Sequence, residues 1–226
     1  MGSNNKKEFD YSAEAIEEVL NSILNDMGGV FNIKSDDIPN IDLYMDQVLS
    51  FLDEKLEYTQ RTEHDSEERV FTKTMINNYA KNDLLPPPVK KKYSKNHIMT
   101  LIFIYYFKNF LSINDVRTLI GPITDKYFGN EDNNGLDSVY DGILELGEER
   151  IGHLKEDILD KYKASKEAYD GDDPDSEYLK LFMFMSLLSY DVFIKKMLIE
   201  QIVDELRNLE GDAESSNKKE KSNKKK

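Results

Sequence analysis

Residues 84–88 read Leu-Leu-Pro-Pro-Pro. Each proline fixes φ at about −65° and lacks an N–H, so three in a row continue neither a helix nor a central strand. They form an extended strut. The segments on either side must therefore be separate elements, held at a fixed exit direction by Leu84 and Leu85 pinned to a core.

Most of those elements have a helical period. Ile16, Val19, Leu20, Ile23, Leu24 and Met27 recur at the spacing of one helix face, and Gly28-Gly29 ends it. Pro39-Asn40 opens a second helix, with Ile41, Tyr44, Val48, Leu52 and Leu56 on one stripe. Residues 57–70 have no apolar period and read as a charged connection or as polar turns extending the helix. A third helix over 72–81 starts at the permitted cap Thr72 and ends at Asn82-Asp83. Ser94 caps a fourth, 95–110, with Ile98, Leu101, Ile102 and Tyr105 inward. Ser112 with Asp115 makes a capping box for a fifth that ends near Gly121-Pro122. After a loop at 129–135 come two long helices, 136–167 and 176–209, split by an acidic turn at 170–175. The second is apolar around most of its circumference, the mark of a core helix or an oligomer seam. The expected organisation is a disordered 1–10, an N-terminal region 11–128 with its core at 38–120, a helical region 129–210 and a disordered Lys-rich tail 211–226.

Composition excludes several kinds of chemistry. With no cysteine there are no disulfides, no thiolate catalysis and no Cys-type zinc site. His64, His97 and His153 have no partner spacing, and no phosphate loop, nucleophile elbow or HExxH occurs. The expectation is a non-enzyme with no catalytic residues, no cofactor and no metal. Asn130, Asp132, Asn134, Gly135 and Asp141 mimic a calcium loop only loosely, since the first ligand is Asn and the last is not Glu. The most apolar runs, 98–107 and 181–190, are about half the ~20 residues a membrane span needs. With no apolar N-terminal run, the expected location is cytoplasmic.

Charge is unevenly spread. The chain carries −14, yet residues 71–117 carry +6 and the last ten +5, leaving −25 on the other 169. On a helical wheel over 72–81, Met75, Ile76, Tyr79 and Ala80 share one half, and Lys73, Thr74, Asn77, Asn78 and Lys81 the other. Long cations, amides and a hydroxyl without an acid can bind phosphates and pair with adenine edges, although short Lys/Asn faces also occur as plain solvated surface. After the strut, Lys90, Lys91, Lys92, Tyr93 and Lys95 form a basic turn with an aromatic, the composition of a wing on a phosphate backbone.

Residues 72–120 resemble the DNA-binding domain of the MerR (mercury-resistance regulator) family. Tyr79, Leu84-Leu85-Pro86, Tyr93-Ser94, Ile98 to Phe107 and Leu111-Ser112-Ile113-Asn114-Asp115-Val116 follow that family's order. The longer pattern from Ile38 to Ile120 is similar to a bacterial family, domain of unknown function 1836. Asn77 and Asn78 stand where the MerR pattern has an Arg and an aromatic, and Asp83 where it has a helix-ending Gly. The resemblance implies a mainly α protein with a MerR-like winged helix-turn-helix and a C-terminal helical region. It further implies a sequence-specific transcriptional regulator that binds double-stranded DNA as a homodimer. In that reading Lys73, Thr74, Asn77, Asn78 and Lys81 lie near base edges or adjacent phosphates. Lys90, Lys91, Lys92, Tyr93 and Lys95 hold phosphates. An effector ligand would lie between the two long helices. The alternative is a non-enzymatic protein-interaction adaptor that keeps the shape without binding DNA, which the acidic body favours.

Overall fold

The computed structural model describes residues 13–31, 33–57, 69–130, 135–168 and 176–223. It is mostly helical: α1 (Ala13–Asp26), α2 (Met45–Leu56), α3 (Lys73–Lys81), α4 (Lys95–Lys108), α5 (Ile113–Tyr127), α6 (Leu136–Glu167) and α7 (Ser176–Asn223). Two short strands, β1 (Leu43–Tyr44) and β2 (Lys92–Tyr93), pair antiparallel, with Leu43 opposite Tyr93 and Tyr44 opposite Lys92. No helix among the described residues is long and apolar enough to cross a membrane. The terminal segment 1–10 and the acidic turn 170–175 lie outside the described residues.

The chain divides into two compact units, and not at the loop 129–135. One unit takes residues 1–29 and 147–193, the other 30–146 and 194–226. Helices α6 and α7 each contribute residues to both. The first helix therefore belongs with the long helices, not with the segment that follows it in sequence. In that unit Leu20 and Leu24 pack with Phe184, Ile158, Tyr162 and Leu188. Glu17 accepts hydrogen bonds from the Tyr162 hydroxyl (3.1 Å) and the Lys166 ammonium (2.6 Å). These bonds hold the Glu17 carboxyl below the ordinary carboxylate range.

The larger core lies in the other unit, built from Val48, Leu49, Leu52 and Leu56 of α2, Ile76 and Tyr79 of α3, and Ile98, Leu101, Ile102 and Tyr105 of α4. Leu84 and Leu85, just after α3, are both buried in it, as the strut requires. Each such side chain contributes roughly 1.5–3 kcal/mol on burial. A clasp closes this unit. The Tyr140 hydroxyl donates to the Ile33 carbonyl (2.7 Å), and Asp141 accepts from the Ser35 N–H (2.9 Å) and hydroxyl (2.5 Å). Asp141 is thus a structural acceptor, and among the described residues no carboxylates or imidazoles cluster as metal ligands.

Three elements depart from the sequence reading. Helix α2 begins at Met45, because 43–44 are drawn into the sheet; Ile41 (68% exposed) and Tyr44 (55%) lie outside the helix, facing water. Helix α5 runs through Pro122 to Tyr127 instead of stopping at it. The proline removes one helical hydrogen bond, but Val116, Ile120 and Ile123 pack on the core on both sides of it and carry the helix on. Helix α7 continues to Asn223, where composition alone suggests a disordered tail.

Candidate nucleic-acid interface

Helix α3 is capped as its sequence indicates: Thr72 Oγ1 accepts from the Met75 N–H (3.2 Å). At its end the left-handed residue is Asp83 (φ 53°), one place beyond the Asn82 that residue type suggests, and the Leu84 N–H closes the turn on the Tyr79 carbonyl (2.9 Å). Ile76 and Tyr79 are buried, while Lys73, Thr74, Asn77, Asn78 and Lys81 are all exposed. The amphipathic division of this helix is therefore the one the wheel gives.

The entry to α3 is fastened from two sides. The Val70 N–H donates to Asp53 of α2 (3.2 Å), and the Lys108 ammonium of α4 donates to the Val70 carbonyl (2.9 Å). The same ammonium lies 4.4 Å from the centre of the Phe71 ring and 5.2 Å from that of Tyr105. Lys108 contributes to the local positive charge, and its head group is committed to holding the α3 entry in place.

The basic turn is a two-residue hairpin. Val89 and Lys92 exchange backbone hydrogen bonds (3.1 and 2.9 Å), leaving Lys90 and Lys91 at the tip with φ of 51° and 64°. Positive φ at both central residues is the type I′ pattern, which normally recruits Asn and Gly. Two lysines there are strained by roughly 1–2 kcal/mol each. Both are exposed, and neither they nor Lys81 have an acidic partner among the described residues.

The start of α2 joins the hairpin to α3. Lys92 lies over the Tyr44 ring (5.2 Å), and two residues on, Asp46 pairs with Lys73 (2.6 Å). The strand end of the hairpin and the first residue of α3 thus meet the same turn of chain. Tyr44 and Asp46 carry no signal in the sequence that would mark them. Their relevance comes from β1 pairing, which a two-residue strand does not announce. The Lys73–Asp46 pair is exposed on both sides, so it is worth at most about 1 kcal/mol and yields readily to a stronger anion.

Two of the expected phosphate ligands are placed elsewhere. Tyr93 is 3% exposed: it occupies β2 opposite Leu43 and packs edge-on against His97 (5.4 Å), and burial raises its phenol pKa. Its ring is part of the core. Lys95 is 16% exposed and donates to Asp137 of α6 (2.8 Å), so its charge is neutralised within the fold.

Beneath the hairpin, His97 forms the start of α4. The Ser94 N–H donates to its Nδ1 (3.0 Å), which puts the neutral-form proton on Nε2. Burial lowers its pKa, opposed in part by the carbonyls of Pro87 and Pro86 and by Asp42. Nε2 itself is buried without a hydrogen bond of good geometry. His97 packs against Tyr93 and Phe128 and is a core group. His153 is exposed beside Glu156 (3.6 Å), and His64 lies outside the described residues.

No curated protein and no solved structure matches the chain. Residues 33–143, which begin and end at the Ile33–Tyr140 and Ser35–Asp141 clasp, match the model of the family described as Domain of unknown function (DUF1836), and this supports placing that segment in the family.

Proposed function

We propose that residues 38–120 form a MerR-like winged helix-turn-helix and that the chain is a sequence-specific, DNA-binding transcriptional regulator. The observation that carries the reading is the meeting of Lys92, Tyr44, Asp46 and Lys73 at the start of α2. It gives the polar face of α3 and the Lys90-Lys91 hairpin a common support, as a helix in the major groove with a wing on the adjoining backbone would need. Lys73, Thr74, Asn77, Asn78 and Lys81 are the base-side residues; Lys90, Lys91 and Lys92 are the phosphate contacts.

The partner copy would come from α7. Ile194, Leu198, Ile202, Leu206 and Leu209 are exposed within about 120° of arc, on a stripe beside the inward Val203. Five such side chains on a second copy would cover them, which makes a homodimer the consistent assembly.

The test is selection from a random duplex pool at low salt, with a K73A/N77A/K81A variant alongside. The expected result is a near-palindromic motif enriched by the wild type only. Equal retention by both proteins, or no enrichment, would remove the DNA reading. A second reading, an adaptor that binds protein and not DNA, is favoured by the two acids on Lys73 and Lys95. It would then be taken up with a search for protein partners.

A further inference from the structure

Within the unit of α1, α6 and the first part of α7, the cleft beside Tyr162 and Leu181 holds about 30 Å³, the space of a single water. A far larger hollow lies in the other unit, inside the family segment but for its last residue, among α4, α5 and the first turns of α6. Its volume is about 470 Å³, within the roughly 300–1,000 Å³ of small-molecule sites.

Its floor is Ile102, Ile120 and Leu144, all buried, and one wall is the Phe103–Tyr140 ring pair, centres 5.3 Å apart. Ile123 and the half-exposed Ile143 stand at the lip. No charged side chain lines it, and the Tyr140 hydroxyl is engaged by the Ile33 carbonyl. A charged ligand would therefore be desolvated without a partner, at prohibitive cost. An apolar guest would instead take the exposed apolar lining out of water, which is favourable.

Shape separates a small molecule from a helix. The hollow is lined over residues 102–107, 119–123 and 139–144. At about 1.5 Å per residue each wall is only about 6–7.5 Å long. A docked helix reads anchors from i to i+7, about 10.5 Å apart. Three short walls make a cup, not a groove. We infer that this cup is a binding site for an uncharged, apolar small molecule, aromatic or branched aliphatic, held by shape and desolvation alone. Occupancy of the cup does not depend on DNA binding.

The experiment titrates the full chain with the uncharged fluorophore N-phenylnaphthylamine. Two cup variants are compared: Ile123→Phe, which fills the volume, and Ile143→Lys, which sets a charge at the lip where a folding defect is least expected. Phe193→Asp, an exposed apolar position of α7 off the proposed dimer stripe, is the control for adventitious apolar surface, and thermal melts verify folding. Saturable binding of one probe per chain is expected, weakened about tenfold or more by each cup variant. Phe193→Asp should change it by no more than about twofold, as a surface substitution does. Three results would overturn the assignment: no saturable binding, equal affinity in folded cup variants, or loss of binding in Phe193→Asp alone. A fourth is probe binding that weakens as protein concentration rises, together with a dimer that Ile143→Lys abolishes; the cup would then be a self-association surface.

Discussion

Under the proposed DNA-binding reading, the hairpin tip allows stability and binding to be moved in opposite directions by one substitution pair. Lys90 and Lys91 both hold left-handed backbone, at φ 51° and 64°. Replacing them by Asn and Gly supplies the residues a type I′ turn prefers. Strain of roughly 1–2 kcal/mol per residue is relieved in part at Asn and fully at Gly, against about 0.5–1 kcal/mol lost to the greater freedom of Gly in the unfolded chain. The net expectation is about 1 kcal/mol of added stability. In a chain of this size that raises Tm by about 2–4 °C. Binding should go the other way. Each phosphate contact contributes about 0.9 to the slope of log K against log salt, so Lys90, Lys91 and Lys92 together give about −2.7, and the variant about −0.9. Extrapolated to 1 M salt, the lost slope corresponds to roughly 60-fold weaker binding at 0.1 M. Calorimetric melts and anisotropy titrations of a selected duplex over a salt series measure both quantities. A melt that does not rise would refute the strain argument. A slope unchanged in the variant would show that neither lysine touches a phosphate.

Other perturbations follow from the same contacts. Lys108→Met keeps the apolar stem but removes the hydrogen bond to Val70 and the cation over two rings; about 1–2 kcal/mol of stability should be lost in urea unfolding, and no loss would mean the α3 entry is held without it. Burial lowers the pKa of His97, so the unfolded chain binds its proton more readily. Stability should be full above the ordinary histidine value and fall as pH drops below it, a slope that His97→Gln should flatten. Asp115 is held below the ordinary carboxylate range by the Ser112 hydroxyl and by Arg207 of α7, and Glu17 by Lys166 and Tyr162. Their contribution is present above the unfolded carboxylate pKa and lost as pH falls through the lowered values, so Asp115→Asn and Glu17→Gln should each shallow the acid limb of a pH–stability curve. Leu101→Ala opens a cavity at a fully buried site and should cost about 2–5 kcal/mol.

Much of the helical framework is legible in the residues. Thr72, Ser94 and Ser112 mark helix starts by local chemistry that acts over three residues. The stripe of Ile98, Leu101, Ile102 and Tyr105 is buried, but Met99, Thr100 and Ile104 are buried too, so α4 is covered on most sides and not on one face alone. The hairpin was legible as a basic turn but not as a turn type, since neither Lys90 nor Lys91 favours positive φ. What was lost depends on distant partners. Tyr93 reads as an aromatic on a basic surface until Leu43 pairs with it, and Lys95 as a free cation until Asp137 arrives from α6. The composition of α3 showed no acid on its polar face, yet Asp46 reaches that face from another helix. Pro122 is a stop signal locally, overridden by the packing of Ile120 and Ile123.

The bonds joining Ile33 to Tyr140 and Ser35 to Asp141 bring together positions more than a hundred residues apart. The two ends of the matched segment therefore meet. A few bonds can hold such distant positions together because the entropy of closing a loop grows only slowly with its length. Opening the clasp would release the segment's entry from the first turns of α6, while α6 itself runs on past the segment to Glu167.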